Sequence, residues 1–306
     1  MKVTLIILTL NSARRIAALL AAVGRQTRGP DQVFVVDSSS DDGAAAIAAG
    51  LGARVIEVKR SDFDHGGTRT LAGRAADGGL LLYMTDDALP ADERAFEELL
   101  GAFADAGVGA AYGRQLPRPG ADTFSAHLRA FNYPAQSHVR EYSQRRRYGI
   151  KTPFLSNSFC AYRKDALEKI GWFSPRLILG EDTCAGARLL QAGYKLAYRA
   201  GAAVWHSHSY TPLQEARRYF DIGVFHQRES WLLADFGAAE GEGGKYVLSG
   251  VRALLKAGAA LSVPAFLARA GLKFVFYRLG RRHALLPAAI AGRLSMHRGW
   301  WRGAEG

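Results

Sequence analysis

The chain has 306 residues, 48% of them hydrophobic and 22% charged, with a formal net charge of +12. This composition supports a packed core and excludes global disorder. Most of the charge is local: from Lys245 onward there are eleven Lys or Arg against one acid, Glu305, which excludes the evenly basic surface of a nucleic-acid binder.

Residues 3–8 form a continuous apolar run, as a buried parallel strand requires. Asn11, Arg14 and Arg15 follow at once, so the run reads as a first strand rather than a secretory leader. Ser12 opens an amphipathic helix through Val23. Residues 33–36 predict a second strand ending at Asp37, and Asp41 and Asp42 open an alanine-rich helix. A third strand is predicted at 54–58, a helix at 67–76 and a fourth strand at 80–83. Pro90 and Asp92 begin a helix to about Ala104, and 108–112 predict a fifth strand. The βαβ rhythm predicts an α/β fold of Rossmann-like kind, with a mostly parallel sheet flanked by helices.

Residues 117–153 have weak periodicity and read as a mobile insertion. Helices are predicted at 165–170, 181–192 and 212–229, and short strands at 195–198 and 203–206. From Lys245, Val247, Val251, Leu254 and Leu255 take one helical face while Lys245, Arg252 and Lys256 take another. The longest apolar stretch, 257–268, is bracketed by Lys256 and Arg269 and is too short to cross a bilayer. Arg and aromatic residues mix at 273–278 and 300–302, which suits a bilayer interface. Cys160 and Cys184 fit no metal spacing and imply a reducing compartment.

Acidic residues at the C-terminal ends of parallel strands line the ligand crevice of such folds. Asp37, Ser38 and Ser39 end the second strand, and Thr85, Asp86 and Asp87 end the fourth. The first strand ends in Thr9, Leu10 and Asn11, with neither a glycine-rich dinucleotide fingerprint nor a phosphate-loop lysine. Asp37 can accept hydrogen bonds from a base or ribose, though the same Ser-rich run is also turn chemistry. Asp86 and Asp87 can hold Mg²⁺ or Mn²⁺ on a diphosphate; solvated loop acids are the alternative. Glu181 and Asp182 open a helix, whose N-terminus favours their ionised form, and an ionised Asp can act as general base toward a hydroxyl. His206 and His208 share a face of an extended segment and can complete a metal site. Gly66 permits close backbone approach, and Arg69 can pair with a phosphate or a carboxylate.

In this order the segments resemble the inverting glycosyltransferases of family 2, which have a GT-A fold. Asn11 and residues 35–43 match its nucleotide-binding segment, 83–88 its metal motif, and Glu181-Asp182 its catalytic base. Residues 63–69, 188–195, 206–210, 218–226 and 294–299 make the chain similar to bacterial rhamnosyltransferases that use dTDP-L-rhamnose. Thr85 stands where the family's metal motif usually has Asp, which leaves Asp87 as the expected ligand and Asp86 open between metal and ribose.

The resemblance implies a GT-A catalytic domain over 1–235, with a nucleotide-binding half to 115, and a basic helical region over 236–306 that meets an anionic membrane surface. It implies Asp182 and Glu181 as catalytic residues. Thr9, Asn11, Asp37, Ser38, Ser39, Gly66, Arg69, Thr85 and Asp86 would bind the nucleotide-sugar, and Asp87 and His206 the Mg²⁺ or Mn²⁺. The acceptor would be a glycan or lipid-linked saccharide at the inner face of the cell membrane. A UDP- or GDP-sugar enzyme, or a non-catalytic sugar-nucleotide-binding scaffold, are the alternatives. A nucleotidyltransferase is disfavoured by the missing glycine-rich loop.

Overall fold

The computed structural model describes residues 1–237 and 240–302. Two compact units are formed: one by 1–118, 133–176 and 181–207, the other by 119–132, 177–180 and 208–306.

The first unit is built on a nine-stranded sheet. Its strands are β1 (Val3–Thr9), β2 (Gln32–Asp37), β3 (Arg54–Glu57), β4 (Leu80–Thr85), β5 (Leu89–Pro90), β6 (Val108–Leu116), β7 (His138–Arg140), β8 (Phe159–Arg163) and β9 (Lys195–Trp205). Their order is β3-β2-β1-β4-β8-β6-β9-β5, with β7 also on β9. The predicted parallel rhythm covers β3-β2-β1-β4. Beyond β4 the sheet is mixed, because β8 runs antiparallel to both β4 and β6 while β6 and β9 run parallel.

Both faces of the sheet are covered, which explains the unbroken apolar runs. On one face Leu5, Ile7, Val35, Leu82, Met84, Ala111 and Phe159 pack on the helices Ala13–Gly24 and Ala95–Leu100 through Ile16, Leu19, Phe96 and Leu99. On the other, Tyr83, Tyr162 and Phe173 meet edge to face at 5.3–5.8 Å. The Tyr83 hydroxyl donates to the Arg69 carbonyl at 3.1 Å and ties β4 to the helix His65–Ala75.

Three local expectations are corrected, and one strand, β8, was not foreseen. Pro90 does not begin a helix; it pairs in β5 with Val204 of β9, and the helix starts at Ala95. An edge strand tolerates the missing amide of proline. The two short strands at 195–198 and 203–206 are one strand, β9, whose partner register jumps between Gly113 and Arg114 and leaves residues 200–202 as a bulge outside the ladder. β8 carried no period-2 signal because it is buried along nearly its whole length. Residues 117–153 are ordered as a helix, Thr123–Asn132, the strand β7 and short helical turns.

The second unit is helical, with Pro212–Arg228, Ser230–Phe236, Glu240–Lys256, Val263–Gly280, Ala288–Leu294 and Arg298–Arg302 beside Thr123–Asn132. The 212–228 and 263–280 helices approach closely at glycines. A Cβ on Gly280 would lie 2.0 Å from the Phe220 carbonyl oxygen, and one on Gly223 would lie 2.3 Å from that of Tyr277. Tyr246, Leu254 and Phe266 form a small core with Phe124, Leu128 and Phe131. The expected basic helix is present at 240–256, but Leu255 is exposed rather than packed. One expectation about length is overturned: the helical stretch Ala260–Gly280, 21 residues, is long and apolar enough to cross a membrane. Pro264 does not break it, since it stands in the first turn, where its missing amide would have no partner.

Candidate active site

The strand register gathers the candidate residues at one edge of the sheet. Thr9 stands opposite Asp37, Leu8 opposite Thr85, and Leu116 opposite Trp205, all at the C-terminal ends of strands. β8 runs the other way, so its start, just after Asn157, lies at that same edge. This is where ligands bind in open α/β sheets.

Asp37 is buried and organises the nucleotide-side turn. Its Oδ1 accepts from Thr9 Oγ1 at 3.2 Å and Ser40 Oγ at 2.6 Å, and its Oδ2 from the Ser40 amide at 2.8 Å. The turn chemistry read from the sequence is thus present at Asp37. Asn11 and Ser39 both have positive φ, 49° and 59°. Asn11 Oδ1 accepts from the Asp41 amide at 3.1 Å, and Ser39 Oγ accepts from the Arg60 amide at 3.2 Å. Among the described residues, Ser38 Oγ and Thr85 Oγ1 are buried and have no hydrogen-bond partner. Buried hydroxyls in that state are open to a ligand's polar groups.

Asp86 and Asp87 diverge. Asp86 Oδ2 receives Arg15 Nη2 at 2.6 Å. Burial raises the Asp86 pKa, and the Arg15 ion pair opposes that shift. The pairing of β5 with the end of β9 carries Asp87 to His206, with Oδ1 and Nε2 3.3 Å apart. The Arg118 guanidinium donates to the Asp87 carbonyl. His206 is buried, and its Nδ1 faces Gln115 Oε1 at 2.9 Å; Gln115 Nε2 in turn donates to Ser156 Oγ at 2.8 Å. That orientation of Gln115 puts the ring proton on Nδ1 and leaves a lone pair on Nε2. A carboxylate oxygen and an imidazole lone pair at this distance fit a cation shared between them. His208, read with His206 from the sequence, falls in the second unit.

Glu181 and Asp182 open the helix Glu181–Gln191. Glu181 is buried; its Oε1 accepts from Arg69 Nη1 at 2.8 Å and Asn157 Nδ2 at 3.1 Å. Burial opposes its ionisation, but the charges of Arg69 and His65 and the Asn157 hydrogen bond outweigh that and lower its pKa. Asp182 is half-buried, and it accepts from the Asn157 amide at 3.2 Å and the Thr183 amide at 2.7 Å. Burial, then the neighbouring Glu181 charge, push its pKa up to about 7. A carboxylate so tuned, with access to solvent, suits proton abstraction near neutrality.

Asn157 is a residue the sequence did not flag. It bridges both carboxylates, while Tyr162 OH donates to its Oδ1 at 2.8 Å. Arg15, Gln115 and Arg118 were missed as well, since each acts through a strand-end neighbour far away in sequence. Gly66 is explained by packing: a Cβ there would lie 2.0 Å from the Ser174 carbonyl oxygen. Arg69 is buried against Glu181.

Residues 4–171 match the family model for glycosyl transferase family 2. The chain belongs to that family. It is 40% identical over its whole length to the O-antigen chain rhamnosyltransferase RfbN of Salmonella typhimurium, covering 98% of that protein. It is 41% identical to the O-antigen chain rhamnosyltransferase WbaN of Salmonella anatum, over 93% of this chain and 90% of the other. Its fold is like that of the mannosyltransferase PcManGT from Pyrobaculum calidifontis, solved with GDP-Man and Mn²⁺ (TM-score 0.59, 18% identity, 99% and 86% of the two chains covered). It is also like S. aureus TarS 1–349, solved with UDP-GlcNAc (TM-score 0.55, 15% identity, 98% and 88% covered). The family 2 enzyme is thus a glycosyltransferase of GT-A fold, as its sequence motifs imply.

Proposed function

We propose that this family 2 glycosyltransferase moves L-rhamnose from dTDP-L-rhamnose to a hydroxyl of a growing bacterial surface glycan, with inversion at the anomeric carbon. The observation that carries this reading is the end-to-end 40% identity to a protein named as an O-antigen rhamnosyltransferase. The geometry of the carboxylates supports the chemistry. Asp182 takes the proton of the acceptor hydroxyl as its oxygen forms a bond to C1 of the donor sugar. The C1–oxygen bond to the nucleotide diphosphate breaks on the opposite face, and the electron pair leaves with the diphosphate. Glu181, Arg69 and Asn157 hold Asp182 in place.

Thr9, Asn11, Asp37, Ser38 and Ser39 would seat the base and ribose, with Thr85 and Asp86 beside them. Asp87 and His206 would hold Mg²⁺ or Mn²⁺, whose charge offsets that of the leaving diphosphate. Residues 1–235 would make the catalytic core. The basic region 236–306 would attach the enzyme to the anionic inner face of the cell membrane, where a lipid-linked acceptor is presented.

A donor panel tests the assignment. Purified protein with Mn²⁺ is titrated with dTDP-L-rhamnose and with UDP- and GDP-sugars, and slow donor hydrolysis is followed. We expect dTDP-L-rhamnose to bind at least about tenfold more tightly, roughly 1.4 kcal/mol. Equal affinity for UDP-sugars would remove the rhamnose assignment and leave the family intact.

A further inference from the structure

The helix Val263–Gly280 in the second unit buries Phe266 and Tyr277 together with charge and leaves a long apolar face outside. Its two central cations point into the unit: Arg269 Nε lies 3.0 Å from Glu215 Oε2, and Lys273 Nζ lies 3.4 Å from Glu215 Oε1. Lys273 is buried, lies over the Tyr219 and Tyr246 rings, and donates to Tyr246 OH at 3.5 Å. The opposite face recurs at helical spacing through Pro264, Leu267, Ala268, Gly271, Phe274 and Val275, and all six are exposed. Phe274 is 56% exposed, Val275 51% and Leu267 44%. Leu261 and Leu285, just beyond the two ends, are 98% and 80% exposed. A water-soluble helix shows the reverse arrangement, apolar side in and charges out. Only 17% of the apolar window is buried, so this is not the core helix of a soluble fold either.

We propose that this apolar face lies in the plane of an anionic bilayer, buried at the headgroup boundary, and does not span it. The proposal deepens the membrane attachment put forward above and rests on it. Three observations favour lying over spanning. Arg269 and Lys273 stand mid-helix and share Glu215 of the helix Pro212–Arg228, which ties the middle of the apolar helix to its neighbour. That neighbour carries exposed Gln214 and Arg218, which need water on their side. Arg278 continues the apolar face and Arg282 follows, both exposed, where anionic headgroups would meet them. Charge also selects the occupant. A second copy would bring the same excess of cations against this face, whereas an anionic lipid surface complements it.

The test uses the full chain and vesicles of phosphatidylcholine with and without phosphatidylglycerol. Cosedimentation is measured for the wild type and for Phe274→Ser/Val275→Ser, which keeps every charge. The wild type is expected to prefer the anionic vesicles and to be released by alkaline carbonate. The double variant is expected to lose on the order of tenfold in partitioning with donor hydrolysis unchanged. Leu267→Ser with Leu261→Ser repeats the test if the first variant does not melt like the wild type. Equal binding by a folded double variant overturns the assignment of this face while leaving the basic region's attachment standing. Resistance to carbonate extraction overturns the in-plane geometry. Failure of the wild type to bind either vesicle overturns both membrane readings, and so does a dimer that the double variant dissolves; donor hydrolysis reports separately on glycosyl transfer.

Discussion

Arg69 Nη1 lies 2.8 Å from Glu181 Oε1, and the two side chains are 4% and 9% exposed. This buried pair adjoins Asp182, because Glu181 and Asp182 are consecutive and Asn157 binds both. Removing one member of such a pair strands the other charge away from water. Arg69→Met is expected to cost about 3–5 kcal/mol of folding stability, read by urea unfolding. Arg69→Met with Glu181→Leu should recover most of that loss. A single-variant loss below about 1 kcal/mol would contradict the pairing.

Asp182→Asn keeps the size of the side chain, but the Asn157 and Thr183 amides reach different oxygens of Asp182, so the amide can accept only one of them. It removes the ability to take a proton. Turnover should fall by about 10²- to 10⁴-fold while the donor dissociation constant stays within about twofold. Normal turnover in this variant would mean that another group is the base.

The pH profile follows from the raised pKa of Asp182. The base works only when ionised, so kcat/KM should climb with pH through about 7 and then level off. The sign for stability is opposite. A carboxyl whose folded pKa lies above its unfolded value favours the folded state when protonated, so this group's contribution becomes unfavourable as pH rises from the unfolded value through about 7. Asp182→Asn should remove both dependences. An acidic limb that survives in the variant would assign the limb elsewhere.

Gln115 fixes the His206 ring through Nδ1. Gln115→Leu should leave His206 in place but free to flip, and raise the Mn²⁺ concentration giving half-maximal binding by about 10- to 100-fold. Electron paramagnetic resonance of free Mn²⁺ measures this without turnover. His206→Ala should weaken binding further. No change in either variant would exclude this pair as the metal site.

Gly280 packs against the Phe220 carbonyl, while a Cβ on Gly271 of the same helix would meet nothing within 4 Å. Gly280→Ala should lower stability by about 1–3 kcal/mol through overpacking. Gly271→Ala should be neutral or stabilise by up to about 1 kcal/mol through helix propensity. Thermal unfolding compares the two, and equal effects would deny the glycine contact.

The local signals in the sequence held where one segment carried its own pattern. The apolar runs at β1, β2 and β4, each ending in a hydroxyl or an acid, marked the ligand edge of the sheet before any contact was known. The motifs around Asp37, Asp87 and Glu181-Asp182 named the family for the same reason, since strand-end loops are short and their chemistry is contiguous. β8 and β5 were not legible. One is buried too uniformly to show alternation, and the other is two residues long with a proline.

The α/β class, the family and the strand-end residues proposed to meet a nucleotide-sugar were thus legible from the chain alone. Which of those side chains are committed to one another depends on the folded arrangement. Asp86 went to Arg15 and Glu181 to Arg69, leaving Asp182 half-buried beside them, while Asp87 and His206, already expected together, lie 3.3 Å apart. Folding also turned the helix Val263–Gly280 so that Arg269 and Lys273 face Glu215 and its apolar side faces out. Each choice depends on pairing between residues dozens of positions apart, where low-dielectric burial and fixed strand register select the partner, and neither is encoded in a local period.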